Sequence, residues 1–282
     1  MSVRPAIRAD DQWYPRDADR LRATIQDMLA SAETPAYESE PIGLIVPHAG
    51  YRFSGATAAY AYKLLHPNEF ERVVLIGPSH FDDFGPIASS DKDFFATPLG
   101  NIPLDRSFLE QLSRLISLNL FTQDQEHSLE IQLPFLQATL GEFKLVPLLM
   151  SYPFYIVGLH ARNWCDELST ALAPLVKGSR TLLVASSDLS HLHSYDSVTY
   201  FDRRFEMFIE EFDIGGLVDF MANEDHEARA CGDAPIITTM LTAKALGAKK
   251  ILVLHRTNSG EVTAMKMPGQ YTVGYMAAAL VR

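Results

Sequence analysis

Three short apolar runs in this chain end abruptly at polar residues that can bind metal ions. Each run has four to six residues and is bounded by Gly, Pro or Ser. The runs are Gly43–Val46, Val73–Ile76 and Leu182–Ala185, and the polar residues after them are His48, His80, Asp188 and His191. Such runs are typical of strands buried on both faces of a parallel or mixed sheet. Because ligands of open α/β sheets bind beyond the carboxyl ends of the strands, we expect these polar residues to converge on one crevice.

Length and charge restrict the class of protein. The chain has 282 residues, of which 47% are hydrophobic, and this is enough to bury a large core. We therefore predict one domain over residues 1–282. The formal charge of −11 opposes binding to nucleic acid or to an anionic membrane surface.

The cellular compartment is predicted from two further features. The sequence shows neither a signal peptide nor a run of about 20 apolar residues that would span a membrane. Its two cysteines, Cys165 and Cys231, are far apart and form no CxxC pair, which argues against a disulfide framework or a zinc finger. We expect a soluble protein of the reducing cytoplasm.

Helical and strand patterns alternate along the chain, which predicts a layered α/β fold with a central mixed, largely parallel sheet flanked by helices. Predicted helices cover Asp17–Ala32, Ala56–Leu65 with Ser54 as its cap, Asp105–Leu118, His127–Leu140 with an interruption at Pro134, Asn163–Val176, Phe201–Met221 as one long helix or two short ones split at Gly215-Gly216, and Ile236–Leu246 with Asp233 as its cap. Predicted strands after the first are Arg72–Gly77, Lys144–Met150, Thr181–Ser186 and Ile251–His255. A turn at Asn258–Gly260 leads to two predicted antiparallel strands, Glu261–Lys266 and Gln270–Met276.

His48 and His80 follow successive predicted strands in similar sequence contexts, after Pro47 and after Gly77-Pro-Ser. Because adjacent parallel strands lie about 5 Å apart, we predict that the two imidazoles form a shared pair of metal ligands. For an isolated histidine, the alternative is a loop residue that bonds to the backbone.

Cys231 lies just before a predicted helix, where the helix dipole and free N–H groups would lower the pKa of its thiol. With His48 and His80 it could hold iron, copper or zinc and leave coordination positions open. A buried small hydrophobe is the alternative for a free cysteine, and it is what we predict for Cys165 inside its helix.

Asp188 and His191 supply a carboxylate and an imidazole three residues apart after a predicted strand. They suit proton transfer, or the orientation of a metal ligand. Either could also bind metal, and the alternative for both is turn formation.

Three residues are candidates for ligand binding. Arg52 could recognise an anionic group through its guanidinium, or else pair with a surface carboxylate. His127 could share a helix face with Glu130, although the start of a capped helix explains this pair nearly as well. Trp13 is the third candidate, because it would contribute to ligand binding if the chain is a binding module.

Taken together, these segments resemble the Memo family, known in prokaryotes as AmmeMemoRadiSam system protein B, over almost the whole chain. The resemblance implies a fold similar to that of class III extradiol (LigB-like) non-haem iron dioxygenases. It also implies metal ligands at His48, His80 and Cys231, with Asp188 and His191 in the same cleft. The matching segments are Trp13-Tyr14, Pro47–Tyr51, Gly77–His80, Thr97–Leu99, Glu126–Glu130 with Leu133-Pro134, Ser186–Asp188, His191, and Cys231-Gly232 with Pro235-Ile236.

One departure limits what this resemblance implies. The dioxygenases hold iron with two histidines and a carboxylate, whereas this chain offers Cys231, so ring cleavage does not carry over. We expect one redox-active metal ion, iron or copper with zinc as a further possibility, and an oxidoreductase of unknown substrate. The resemblance also implies a radical-SAM protein and an AMMECR-type protein as partners.

Two other hypotheses remain open. In the first, the chain is a non-enzymatic module that binds a peptide or anionic ligand in the same cleft, through Arg52 and Trp13. In the second, Cys231 is the nucleophile of a hydrolase, with a histidine as base and Asp188 orienting it.

Overall fold

The computed structural model describes residues 1–34, 40–151 and 159–282, without the side chains of 159–161. Its strands are β1 (Val3–Arg4), β2 (Pro41–Val46), β3 (Arg72–Pro78), β4 (Ile87–Ser90), β5 (Phe94–Thr97), β6 (Gly100–Pro103), β7 (Asn119–Phe121), β8 (Lys144–Met150), β9 (Thr181–Ser186), β10 (His191–Leu192), β11 (Lys250–Asn258) and β12 (Thr272–Val281). Its helices are α1 (Ala18–Ser31), α2 (Ala56–Tyr62), α3 (Arg106–Ser113), α4 (Leu133–Leu140), α5 (Leu159–Val176), α6 (Tyr195–Glu210), α7 (Ile214–Asn223), α8 (Asp233–Ala245) and α9 (Ser259–Val262). Within these ranges, no helix has the length and apolar character that a membrane crossing requires.

A mixed sheet forms the centre of the fold. In the described residues it has nine strands. Eight of them follow the order β10-β12-β2-β9-β3-β8-β4-β7, and the ninth, β11, pairs with β12 on the side away from β2. Strands β2, β9, β3 and β8 are parallel neighbours, whereas β12 is antiparallel to β2 and β4 is antiparallel to β8. A small second sheet has the order β1-β5-β6. This is the predicted α/β fold with a mixed, largely parallel sheet flanked by helices, and it is compatible with a LigB-like architecture.

The central strands are apolar because helices cover them. Every residue of β2 and β9 is buried, as is every residue of β3 and β8 except the first. Helix α8 packs on β2, β3 and β9, while α2 packs on β2, β11 and β12. Strands covered in this way lose the polar alternation of a half-exposed sheet, so they appear in the sequence as continuous apolar runs.

The order of the strands differs from the prediction at one place that matters for the site. We predicted His48 and His80 at the ends of adjacent strands, but β9 lies between β2 and β3 and pairs with both. The end of β9 and the residues after it therefore reach His48, which bonds to Ser186 and Asp188. This pairing depends on contacts that are remote in the chain, which a local pattern cannot show.

Two predicted helix features were wrong. Ser54 is not a cap, because α2 continues a π-helical turn over Tyr51–Gly55 and the Ser54 hydroxyl donates to the Ala49 carbonyl (2.9 Å). The break between α6 and α7 precedes the two glycines. It occurs at Phe212, whose φ of 53° ends the first helix, and at Asp213, whose carboxylate accepts from the Gly216 N–H (2.9 Å).

The predictions around α8 and α9 were also wrong in part. Asp233 is the first residue of α8 rather than its cap, which is Gly232. The predicted turn at Asn258–Gly260 and the predicted strand Glu261–Lys266 were wrong, because the Asn258 side chain accepts from the Glu261 N–H (2.9 Å) and starts the short helix α9. The last strand, β12, begins only at Thr272.

Candidate metal centre and adjoining cavity

The three predicted metal ligands lie together at the carboxyl edge of the sheet. His48 follows β2, His80 follows β3, and Cys231 precedes α8. One ligand atom from each lies within 4.8 Å of the other two. The Cys231 Sγ is 3.1 Å from the His48 Nε2, and the two imidazole centroids are 5.2 Å apart. The sequence prediction of one His/His/Cys cluster is therefore met by the geometry.

This donor set fits a metal ion. In a tetrahedral site with bonds of about 2.0–2.3 Å, ligand atoms lie roughly 3.5 Å from one another, close to the spacing between Cys231 and His48. Two imidazoles and one thiol suit zinc, iron or copper. His48 is buried, but the His80 side chain is 27% exposed, so the cluster is open on the side of His80.

The hydrogen bonds of His48 determine which ring nitrogen faces Cys231. Ser186 donates its hydroxyl proton to the Ser128 carbonyl (2.6 Å), and the same oxygen accepts from Gln132 (2.8 Å). The Ser186 Oγ also lies 3.1 Å from the His48 Nδ1, and since its only proton is already used, Nδ1 must carry the hydrogen and donate. The unprotonated Nε2 then faces Cys231, with its lone pair available for a metal.

Glu126 places His80 in an equivalent arrangement. This buried carboxylate accepts from the backbone N–H of His80 (2.5 Å) and lies 3.0 Å from its Nδ1. A carboxylate can only accept, so Nδ1 carries the hydrogen and Nε2 is left for the metal. Burial alone would raise the pKa of Glu126, but the bonds and charges of the neighbouring imidazoles lower it to about 2. Neither Glu126 nor Ser186 was among the site residues predicted from the sequence.

The thiol of Cys231 differs from the prediction. Burial raises its pKa well above the ordinary value, and the nearby carboxylate of Asp188 raises it further, so the helix start does not produce a low-pKa thiol. The position of the residue is nonetheless tightly defined, because its N–H donates to the Asp188 carbonyl (3.2 Å). The next residue, Gly232, donates to the Ser187 hydroxyl (2.9 Å), and a Cβ on Gly232 would lie 2.5 Å from the Ser186 carbonyl oxygen. A larger residue at Gly232 would therefore displace the thiol.

Asp188 lies beside the three predicted ligands, and its carboxylate bonds to the backbone of one of them, His48. Its Oδ1 accepts from the backbone N–H groups of His48 (2.7 Å) and Ala49 (3.2 Å). Burial raises its pKa to about 7, against the effect of these two hydrogen bonds. His191 is three positions further on, at the start of β10, and burial lowers its pKa to about 4, so its imidazole is neutral near pH 7.

A cavity of about 820 Å³ opens next to the metal cluster. This volume is in the range of small-molecule sites. All five residues predicted for catalysis or ligand binding line it, whereas the three predicted metal ligands do not. Its wall includes Trp13, Arg52, His127, Asp188, His191 and Tyr271.

His127 connects the cavity with the metal cluster. Its ring stacks on His80 with centroids 4.6 Å apart and contacts Trp13 on the cavity side at 4.5 Å. Burial lowers the pKa of His127 to about 3. Its Nδ1 lies 3.2 Å from a Glu126 oxygen, but outside hydrogen-bonding geometry. Arg52, at the cavity wall, stacks on Phe53 and forms no ion pair among the described residues, so the predicted alternative of a surface ion pair is not seen.

Comparison with known proteins identifies the family. The model of the family described as "Memo-like protein" matches residues 4–279. The chain belongs to the Memo family. A MEMO1 family protein of Methanopyrus kandleri is 31% identical over 98% of both chains, and one of Thermoplasma volcanium is 33% identical over 93% of both.

The fold of this Memo-family chain also resembles that of a solved structure. An uncharacterized protein from Escherichia coli K12 superposes with a TM-score of 0.51, covering 84% of this chain and 98% of that one. Their sequences are 12% identical, so the likeness concerns the fold alone.

Proposed function

We propose that this Memo-family protein binds one redox-active metal ion, iron or copper, through His48, His80 and Cys231, and acts as an oxidoreductase on a small molecule held in the adjoining cavity. The observation that carries the proposal is the hydrogen bonding of the two histidines, which fixes both Nδ1 atoms as donors and leaves the Nε2 lone pairs for a metal, in a cluster whose ligand atoms lie within 4.8 Å of one another. A bound iron or copper ion would supply one-electron chemistry and open coordination positions for O₂ or substrate.

The residues of the cavity wall provide proton transfer and binding. Asp188, with a pKa near 7, can hold or release a proton close to neutral pH. His191 is neutral at that pH and can accept one. Trp13 and His127 offer aromatic faces to a ligand, and Arg52 offers a guanidinium for an anionic group.

The experiment that tests metal binding is elemental mass spectrometry of protein purified anaerobically without an affinity tag. We expect nearly one equivalent of iron or copper in the unaltered chain, and its loss in His48→Ala, His80→Ala and Cys231→Ser. Cys165→Ser is the matched control, since Cys165 is a buried free thiol whose Sγ donates to the Ala234 carbonyl (3.6 Å) and is not part of the His/His/Cys cluster. Metal that persists in all three cluster variants, or no metal in the unaltered chain, would contradict the proposal.

A binding module is the second candidate function. It is supported by the separation between the cavity and the three predicted metal ligands, which do not line it, and by the Arg52 guanidinium, which forms no ion pair with any described residue. In this case a peptide or anionic ligand would occupy the cavity without turnover. Affinity for such a ligand should survive both chelation and Cys231→Ser, whereas in the metalloenzyme a substrate that binds the metal should lose affinity after either treatment.

Hydrolysis by Cys231 is the third candidate. The 3.1 Å contact between its Sγ and the His48 Nε2 resembles a nucleophile and base pair, but the raised pKa of the thiol opposes activation. Rapid alkylation of Cys231 in metal-free protein at pH 7, compared with Cys231→Ser, would support this candidate. We expect slow alkylation.

The proposed setting is a cytoplasmic one with two partners. We propose that the protein works with a radical-SAM protein and an AMMECR-type protein, on the strength of its Memo family membership. Co-purification of the untagged protein with either partner from its own source, under anaerobic conditions, tests this association. Its absence under conditions that preserve the bound metal would count against it.

A further inference from the structure

Glu126 is a buried carboxylate placed between two histidines of the site. Only 2% of its side chain is exposed, although it lies in the loop after β7. Its Oε2 accepts from the His80 N–H (2.5 Å), and its Oε1 accepts from the His127 and Ser128 N–H groups (2.8 Å each). The same Oε1 is 3.0 Å from the His80 Nδ1. One side chain thus connects the loop that carries His80 with the loop that carries His127.

These contacts also show that Glu126 itself is a poor metal ligand. His80, Glu126 and His127 have ligand atoms close enough to hold an ion, within 4.8 Å of one another. However, Oε1 already receives three hydrogen bonds, and the Oε2 bond to the backbone is short. A metal ion at this carboxylate would have to displace buried backbone donors, which would leave them unsatisfied at a cost of about 1–3 kcal/mol each.

We propose that Glu126 is a positioning residue that fixes His80 in its Nδ1–H tautomer and fixes the ring of His80 against His127, so that His80 presents Nε2 to the metal. The inference rests on the proposed metal site and deepens it. Carboxylates that accept from a ligating histidine orient the ring and increase its basicity, and their loss commonly lowers metal affinity 10- to 100-fold.

The chain provides a matched control for this proposal. Glu130 is four residues further on and is equally buried, but its carboxylate accepts from Arg4 (2.6 Å) and Tyr14 (2.6 Å) and bonds to neither histidine. Glu130→Gln therefore removes a buried negative charge from the same segment and leaves His80 untouched. A purely structural effect should appear in both variants.

The first readout is metal affinity, with Co²⁺ as the probe. Titration followed by visible absorption compares the unaltered chain with Glu126→Gln and Glu130→Gln. Gln at position 126 can accept through one oxygen only, so either the backbone N–H or the Nδ1–H of His80 loses its partner. We expect Co²⁺ affinity to fall at least tenfold in Glu126→Gln and less than threefold in Glu130→Gln. Equal losses, or no loss in Glu126→Gln, would overturn the proposal.

The second readout is the tautomer of His80 in metal-free protein, which does not depend on the proposed function. Imidazole ¹⁵N and ¹³C shifts distinguish the two tautomers, and the His80 signals are those absent from His80→Ala. We expect Nδ1–H in the unaltered chain and in Glu130→Gln, with a large share of Nε2–H in Glu126→Ala. If that variant does not fold, Glu126→Gln takes its place and a changed His80 signal is expected. An Nε2–H tautomer in the unaltered chain would refute the role of Glu126, whereas an unaltered chain that binds no Co²⁺ refutes only the metal site.

Discussion

Asp202 on α6 bonds to Ser190, which lies between Asp188 and His191, and it allows a quantitative prediction about the pH dependence of stability. Its side chain is 1% exposed, and its Oδ1 accepts from the backbone N–H (3.1 Å) and the hydroxyl (2.6 Å) of Ser190. No hydrogen-bond partner in the described part of the chain reaches its Oδ2. Burial therefore raises the pKa of Asp202 to about 7, against the lowering effect of Ser190. We predict that Asp202→Asn makes the stability of the protein less dependent on pH.

The sign and size follow from the difference in pKa between the folded and unfolded chains. The pKa of Asp202 is about 7 in the folded chain, against 3.8 for an unperturbed aspartate, so the folded protein binds the proton more tightly. Stability is unaffected by this group below the lower value, falls as the pH rises between the two values, and is constant above the higher one. With 1.36 kcal/mol for each pKa unit, about 2.5 kcal/mol should be lost between pH 5 and pH 7.5. Asn keeps an oxygen for Ser190 and cannot ionise, so it avoids this loss.

The measurement is urea unfolding followed by circular dichroism from pH 5 to pH 7.5. The free energy of unfolding of Asp202→Asn should rise relative to the unaltered chain by about 2.5 kcal/mol across this range. Asp196→Asn is the control, since Asp196 is exposed on the same helix and its difference should vary by less than about 0.5 kcal/mol. A difference for Asp202→Asn that is constant over the whole range would refute the argument.

Three further substitutions test buried contacts at the candidate site and next to it. Ser186→Ala removes the acceptor of the His48 Nδ1–H, and we expect Co²⁺ affinity to fall 10- to 100-fold in the same titration. Gly232→Ala forces a Cβ towards the Ser186 carbonyl oxygen, so elemental analysis should show loss of bound metal, and normal loading would contradict the close approach. Tyr14→Phe leaves one acceptor position of the buried Glu130 without its hydrogen bond, and the free energy of unfolding from a urea titration should fall by about 1–3 kcal/mol.

Features that depend on local pattern were predictable from the sequence. The bounds predicted for β8 and β9 equal the observed ones, because strands covered on both faces stand out as apolar runs. The order of the strands was not predictable, since the position of β9 between β2 and β3 depends on pairing remote in the chain. The failed strand at Glu261–Lys266 has a local cause that could have been found, namely the ability of Asn258 to cap a helix.

The same division applies to the candidate site. The donors at His48, His80 and Cys231 could be proposed because they follow strands or precede a helix. Glu126 and Ser186 were missed because their contacts with the two histidines bridge 46 and 138 positions in the chain. The pKa shift of Cys231 was predicted in the wrong direction for a related reason. Burial and the nearby Asp188 raise the pKa of the thiol, and both are properties of the folded chain that a local pattern does not show.

The metal cluster and the cavity are built from different parts of the fold. The donors lie at the ends of β2 and β3 and at the start of α8, and their ring nitrogens are fixed by buried hydrogen bonds. Much of the cavity wall comes from loops and short turns, including Trp13, Arg52 and Tyr271. Ligand specificity can therefore change through the wall while the donors stay in place, as is general for sites carried by loops on a rigid scaffold. His127 and Asp188 line the cavity and also contact His80 and His48, so a ligand in the cavity would influence a metal ion at the proposed donors through these two residues.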